Sequence, residues 1–272
     1  MELLRPSDLE GLDGGLPIAG GTEVVPLLRD GLVHAETLVD ISGLVPKGID
    51  GPRIGAGTTL AALEADPQVP AALREACRLA ASPQLRNMGT VGGNLLQATR
   101  CWYWRLDYPC RLHGGDRCHA REGEHREHAI FANDFCASAH PSDVAAALVA
   151  LGGTFRTTER ELPVRELYRL PDEGDRRTTT LRTGEVMLEL DVPPPDASTY
   201  LKAMDRKRWA FPLVGAAAVR RGGETTVALA GVAPIPWLLE GSLDDATPLP
   251  GTAYKVQVAK ALVERARVAV AG

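Results

Sequence analysis

Apolar positions along the chain come in short blocks cut by glycine and proline, and the period of each block predicts its element. Residues 16–19 (Leu-Pro-Ile-Ala) read as a strand that Gly20-Gly21 ends, and 24–29 as a helix start. Strands are expected at 38–41 and 53–56. Helices are expected at 60–65 and 70–81, the second opening on Pro70, where the missing N–H is no loss. Residues 84–94 carry three glycines and read as a loop. The block 143–151 (DVAAALVAL) is strongly helical, with Ser142 placed to cap it. Strands follow at 154–158 and 186–192. Pro193-Pro194-Pro195 is a rigid connector and the best domain boundary. After it come a strand at 198–204, a helix at 211–220, a strand at 225–232 and a last helix at 254–271. No internal repeat is visible.

One stretch, 100–136, has neither period. It is rich in Arg, His and Gly and too polar to build a core alone, and a structureless segment of this length is uncommon unless it is functional or held by something. It contains four of the five cysteines (Cys101, Cys110, Cys118 and Cys136), and five of the six histidines (His113, His119, His125, His128 and His140) lie in or just beyond it. No basic run followed by an apolar core occurs in residues 1–11, so a cytoplasmic setting is expected, with export only if a partner subunit carries the chain. In that setting clustered cysteines read as metal ligands or redox centres rather than disulfides. Cys77 lies in an apolar helical block and reads as a buried thiol outside the ligand set.

Composition narrows the picture further. The 272 residues are 44% apolar and 24% charged, as in an ordinary globular protein. Lys and Arg number 30 against 35 Asp and Glu, a net charge of −5, which argues against a nucleic-acid binder that works by neutralising phosphates. No apolar run approaches the ~18 residues of a membrane span.

Two segments share one character: Ile18-Ala19-Gly20-Gly21-Thr22-Glu23 and Gly89-Thr90-Val91-Gly92-Gly93-Asn94. Glycines let a backbone approach a ligand and turn its N–H groups toward an anion, and Thr and Asn add side-chain donors. Two such loops could clamp a pyrophosphate from both sides; singly, each also reads as a tight turn. Neither has dinucleotide-fold or P-loop spacing.

Taken in order, these pieces resemble the FAD-binding medium subunit of the molybdenum hydroxylases, the xanthine dehydrogenase and carbon monoxide dehydrogenase family. The matching segments are Leu4-Arg5-Pro6, IAGGTEVVPLL from Ile18, IGAGTT from Ile54, QLRNMGTVGGN from Gln84, HPSD from His140, YLKAMDRKRWAFPLV from Tyr200 and LAGVAPIPW from Leu229. The resemblance implies an α+β fold, a two-lobed PCMH-type FAD-binding domain over 1–170 followed by a small α+β domain over 178–272. It implies FAD contacts at Pro17, Ile18, Ala19, Gly20, Gly21, Thr22, Glu23 and Val24, and at Thr90, Gly92, Gly93 and Asn94. Asp143 resembles the family's polar contact to the adenosine part, and Lys202 a lysine near the flavin. On the residues alone, Asp143 reads equally as a carboxylate favoured in a first helical turn, and Lys202 as a charge on a strand surface.

In the plainest family members the second glycine motif and the Ser-Asp segment lie close together, whereas Asn94 and Asp143 here are 49 positions apart. The insertion, about 99–138, is similar to the branch that carries an iron–sulfur cluster in its flavin subunit, as in periplasmic-type aldehyde oxidoreductase and 4-hydroxybenzoyl-CoA reductase. That likeness makes Cys101, Cys110, Cys118 and Cys136 the four ligands of a 4Fe-4S cluster, spaced C-x8-C-x7-C-x17-C. Zinc bound by a Cys/His mixture stays open, although no C-x-x-C pair is present. Trp102, Tyr103 and Trp104 shield the cluster, pack on a partner subunit or fill a small core under the loop.

The implied function is an oxidoreductase subunit that moves electrons between partner iron–sulfur centres and an external acceptor. Its expected partners are a large molybdenum-cofactor subunit and a small 2Fe-2S subunit. The first element and the region between Trp237 and Tyr254 are short for the family, which keeps a stand-alone FAD and iron–sulfur oxidoreductase, or a zinc-binding structural protein, as alternatives.

Overall fold

The computed structural model describes residues 1–9 and 12–272, without the side chain of Asp13. Three sheets follow one another along the chain. The first is parallel, with β1 (Glu2–Leu4), β2 (Leu16–Ile18) and β3 (Thr37–Asp40) in the order β1-β3-β2. The second is antiparallel and joins β4 (Ile49–Asp50), β5 (Arg53–Gly55), β6 (Thr154–Thr157), β7 (Glu161–Pro163) and β8 (Met187–Asp191) in the order β4-β5-β8-β6-β7. The third is an antiparallel sheet of β9 (Ala197–Ala203), β10 (Val214–Arg221), β11 (Glu224–Ala230) and β12 (Trp237–Leu238), in the order β12-β11-β10-β9.

Helices fill the spaces between the sheets. They are α1 (Val24–Arg29), α2 (Leu60–Ala65), α3 (Ala71–Ala80), α4 (Pro83–Met88), α5 (Val91–Leu95), α6 (Trp102–Arg105), α7 (Asp143–Leu151) and α8 (Tyr254–Val270). Every residue of α7 is buried, which its all-round apolar sequence requires. Its ends are well made. Ser142 Oγ accepts from the Ala145 N–H at 2.9 Å, and Gly152 closes it in the left-handed region.

Two expectations are corrected. The block 211–220 is not a helix but mostly strand β10, and the reason is burial on both faces. Val214, Ala216 and Ala218 pack with Ala259, Val263 and Ala266 of α8, while Ala217 and Val219 join the main core with α7 and β8. A strand covered by helices on both sides shows no polar alternation, and its alanines mimic a helix. The block 84–94 is not a plain loop. Ser82 and Thr90 start two short helices, accepting from the Leu85 and Gly93 N–H groups, and Pro83 takes the first position of α4.

The main core crosses Pro193-Pro194-Pro195 without a break. Tyr200, Ala217, Val219 and Ala228 from the third sheet are buried with Leu73 and Cys77 of α3 and with most of α7. Among the described residues no helix is long and apolar enough to cross a membrane.

The insertion has little regular structure, as its lack of period implies: α6 and two 3₁₀ turns at Arg111–His113 and His119–Arg121. Its own apolar cluster is small, Ala120 and Ala137 with Leu249, flanked by Tyr103 and Cys118. Polar ties from outside hold it. Arg176 donates to the Arg111 and Gly115 carbonyls, both at 2.7 Å. The buried ammonium of Lys255, on α8, donates to the carbonyls of Glu127, His128 and Gly231 at 2.9, 2.9 and 2.7 Å.

Lys255→Met leaves those three carbonyls without a donor. It is expected to destabilise the chain by about 3 kcal/mol, since each buried unpaired acceptor costs ~1–3 kcal/mol. A urea unfolding midpoint checks the loss, and faster amide exchange at His128 to Phe131 locates it.

Candidate functional site

The two glycine turns press against each other. A Cβ on Gly20 would lie 2.0 Å from the Met88 carbonyl oxygen, so only glycine allows this approach. Gly21 has φ +70°, in the left-handed region. Pro17 and Ile18 bring the chain in along β2, paired with Val39 and Asp40, Ala19 packs on the main core, and Val24 begins α1. Among the described residues, no protein acceptor meets the backbone N–H of Gly20, Gly21, Thr22, Glu23 or Val24. A run of unpaired N–H groups around a left-handed residue is an anion cradle.

The second turn is built differently. Its N–H groups are spent inside the protein: Val91 on the Thr58 carbonyl at 2.8 Å, Gly92 on Ala56 at 2.9 Å, Gly93 on Thr90 Oγ1 at 3.2 Å and Asn94 on the Thr90 carbonyl at 2.9 Å. A Cβ on Gly92 would be crowded, 3.1 Å from both the Cβ and the oxygen of Ala56. The Asn94 side chain accepts from Ser142 Oγ at 2.6 Å, which joins this turn to the start of α7. The two turns are therefore unlike: the first presents free donors and the second forms a rigid wall.

Between them lies a cavity of about 230 Å³, lined by Thr22, Glu23, Thr90, Gly93, Asn94 and Asp143, by the corner between α3 and α4, and by Trp209, Ala210 and Phe211. Through Arg100, Pro141, Ala210 and Phe211 it adjoins a second cavity of about 310 Å³. Pro17, Ile18, Ala19, Gly20, Gly21, Val24 and Gly92 are not among the residues that line the first cavity.

Asp143 and Lys202 form a buried ion pair. Lys202 Nζ lies 2.8 Å from Asp143 Oδ2 and donates to the Leu79 carbonyl at 2.8 Å, and its side chain is fully buried. This overturns the reading of Lys202 as a surface charge. The Tyr200 hydroxyl donates to Asp143 Oδ1 at 2.5 Å. Burial pushes the Asp143 carboxyl upward, opposed by the ammonium and the hydroxyl. Gly215 makes room for Tyr200: a Cβ there would meet the Tyr200 hydroxyl at 2.0 Å.

The four clustered cysteines line one further cavity, together with Tyr103, His119 and Ser138. They are all unpaired thiols. Burial pushes Cys101 up to about 11 and Cys136 up to about 12, so both are neutral unless a cation ionises them. His128 Nε2 lies 3.2 Å from Cys101 Sγ. The His119 Nε2 and His128 Nδ1 atoms are buried without a partner. Cys77 lies elsewhere, wholly buried on α3. Among the described residues no three His, Cys, Asp or Glu side chains gather tightly enough to hold a single metal ion. Trp102, Tyr103 and Trp104 make ring contacts with His128, His119 and His113.

Sequence reasoning missed the link between the two cavities. The Glu23 carboxylate binds Arg100 and Arg105, which flank Cys101. It also missed Trp209, exposed at the cavity mouth with φ +56°. Nothing in a local window marks an ion pair 77 positions apart or a left-handed tryptophan.

Lys202→Met is expected to cost about 3–5 kcal/mol at pH 8, because it leaves a buried carboxylate unpaired. The loss should shrink toward pH 5. Without its cation the carboxyl has a folded pKa above its unfolded one, so protonation favours the folded state and that contribution fades as pH rises. Denaturant titrations at the two pH values check the sign.

Residues 10–195 match the family model described as the FAD binding domain in molybdopterin dehydrogenase. The chain is 36% identical over 244 residues to the aldehyde oxidoreductase FAD-binding subunit PaoB of Escherichia coli (strain K12), covering 83% of this chain and 77% of that protein. It is 26% identical over 211 residues to the nicotinate dehydrogenase FAD-subunit of Eubacterium barkeri, covering 73% of this chain and 58% of that one. Its fold matches a chain of the Cu,Mo-CO dehydrogenase in its cyanide-inactivated form, with a TM-score of 0.71 at 23% identity over 100% of this chain and 97% of the other. With its paired glycine turns, the cavity between them and a family match across more than half its length, the chain belongs to the FAD-binding domain family of the molybdopterin dehydrogenases.

Proposed function

We propose that this chain is the FAD and iron–sulfur electron-transfer subunit of a molybdenum-containing oxidoreductase, with a large molybdenum-cofactor subunit and a small 2Fe-2S subunit as partners. The observation that carries the flavin half is the run of five unpartnered N–H groups at residues 20–24. Such a run suits a pyrophosphate, and FAD would lie with its phosphates on this turn and the rest of the molecule along the adjoining cavities. Thr22, Thr90, Asn94 and Asp143 line the space available to it. When bound, FAD supplies exchange of single electrons with iron–sulfur centres and of electron pairs with an external acceptor; the chain's own work is to hold and orient it.

The iron–sulfur half rests on Cys101, Cys110, Cys118 and Cys136 surrounding one cavity. A single zinc ion needs its thiolates about 2.3 Å from one point, and the thiols here do not converge in that way. A four-iron cube takes one thiolate at each of four irons, so its ligands stand around a volume. Cys101 and Cys136, whose thiols burial holds in the neutral form, would release their protons on binding it, which makes assembly release acid and adds folding free energy to a segment with little core of its own.

Two measurements test this reading. The full chain should hold FAD non-covalently. Gly20→Ala, which drives a Cβ into Met88, should raise its FAD Kd at least about ten-fold, the scale of a ~1.4 kcal/mol loss. Gly43→Ala, with open space around it, should leave Kd unchanged. Iron and sulfide analysis should find about four of each per chain in the wild type and in Cys77→Ser. Cys101→Ser, Cys110→Ser, Cys118→Ser and Cys136→Ser should each lose most of both, with the broad visible absorbance. One zinc per wild-type chain would overturn the iron–sulfur half.

A further inference from the structure

We infer that Glu23 couples the occupancy of the cysteine cavity to the affinity for FAD, acting as a positioning residue for both. The inference deepens the reading above and rests on it. Glu23 follows Gly20-Gly21-Thr22 directly, and its own N–H belongs to the free run that forms the cradle. Its carboxylate binds the segment around Cys101. Glu23 Oε2 lies 2.6 Å from Arg100 Nη2, and Oε1 lies 2.6 Å from Arg105 Nη2 and 3.1 Å from the Ala98 N–H. Arg100 precedes Cys101, and Arg105 ends the short helix α6 that Cys101 begins. Arg105 also grips the Thr99 carbonyl at 2.9 Å. One carboxylate thus fixes the backbone on both sides of the first cysteine.

The acid and both arginines are partly buried, with side-chain exposures of 16%, 28% and 16%. Charge-assisted bonds so placed are stronger than exposed ones and constrain geometry. The backbone that bends to receive an anion is the backbone that carries this carboxylate. A cluster that fixes Cys101 therefore fixes the Glu23 main chain through three bonds, and an anion seated on the 20–24 N–H groups fixes α6 by the same route. Linkage requires the effect to be equal in both directions. Arg100 extends the contact, since its guanidinium lies 4.8 Å from the Phe211 ring centre at the mouth of the FAD cavity.

The test is FAD titration of the full chain, followed by flavin fluorescence, in two states: with the cysteine site reconstituted with iron and sulfide, and after removal of both by a chelator under mild oxidation. In the wild type the reconstituted state should bind FAD about ten-fold more tightly, within the ~5–150-fold usual for coupled sites. In Glu23→Gln the ratio between the two states should fall to near one. Arg105→Gln removes the contact from the other side and should collapse the same ratio, so the result does not depend on one variant folding well. Far-UV circular dichroism and the FAD-free unfolding midpoint are compared for each variant. A wild-type ratio near one, or a ratio kept in both variants, overturns the coupling while leaving the flavin and cluster assignments standing. A chain that binds no FAD in either state overturns both.

Discussion

The molecule is organised around the buried pair of Asp143 and Lys202. Asp143 opens the wholly buried helix α7, Lys202 comes from β9, and the ammonium also reaches the Leu79 carbonyl near the end of α3. Three elements from distant parts of the sequence are thereby joined at one point beside the cavity that Asp143 lines. Isolated charges in such a place would be strongly unfavourable. They are tolerated because the acid has two partners, the ammonium and the Tyr200 hydroxyl, and because the start of a helix favours negative charge. Hydrophobic contacts would hold the same elements together but would not fix their relative position so narrowly, and a cavity for a dinucleotide needs its walls in register.

The site was legible where its chemistry demands a residue type. Gly20 stands where a Cβ would collide with backbone, Gly92 where one would be crowded by Ala56, and Gly21 where the backbone turns left-handed, so the glycine pairs are written into the sequence. The reason differs from a simple clamp. The second turn spends its donors on Thr58, Ala56 and Thr90, and its glycines serve packing. Lys202 was ambiguous because strand β9 has partly exposed backbone beside a wholly buried ammonium, a distinction that pattern alone does not carry.

The fold was legible in proportion to how one-sided each element's burial is. α3, with one apolar face, was found close to its true limits. β10 was mistaken for a helix because helices cover both its faces and its alanines are short enough to let them close. In residues 84–94 the glycines suggest a loop, but the Ser82-Pro83 and Thr90 caps are the stronger local signal and start two short helices. The connector at Pro193-Pro194-Pro195 changes chain direction without dividing the core.

The insertion follows different rules from the rest of the chain. Its own apolar cluster is small, and only Ile130 and Phe131 near its end join the core of the third sheet and α8, so hydrophobic burial orders little of it. It is instead held at its margins by charged side chains that reach backbone carbonyls or a carboxylate: Arg176 on one turn, Lys255 on the segment that carries His128, and Glu23 with Arg100 and Arg105 around Cys101. Directional bonds of this kind fix a loop without enclosing it, and they leave the thiols of Cys101, Cys110, Cys118 and Cys136 around a shared cavity. A scaffold of that type orders its interior only in part, because His119 Nε2, on a side chain that lines the cavity, stays buried without a partner. Unpaired polar atoms in a buried space are unfavourable. That cost is coherent with the proposed cluster, whose binding would add folding free energy to this segment.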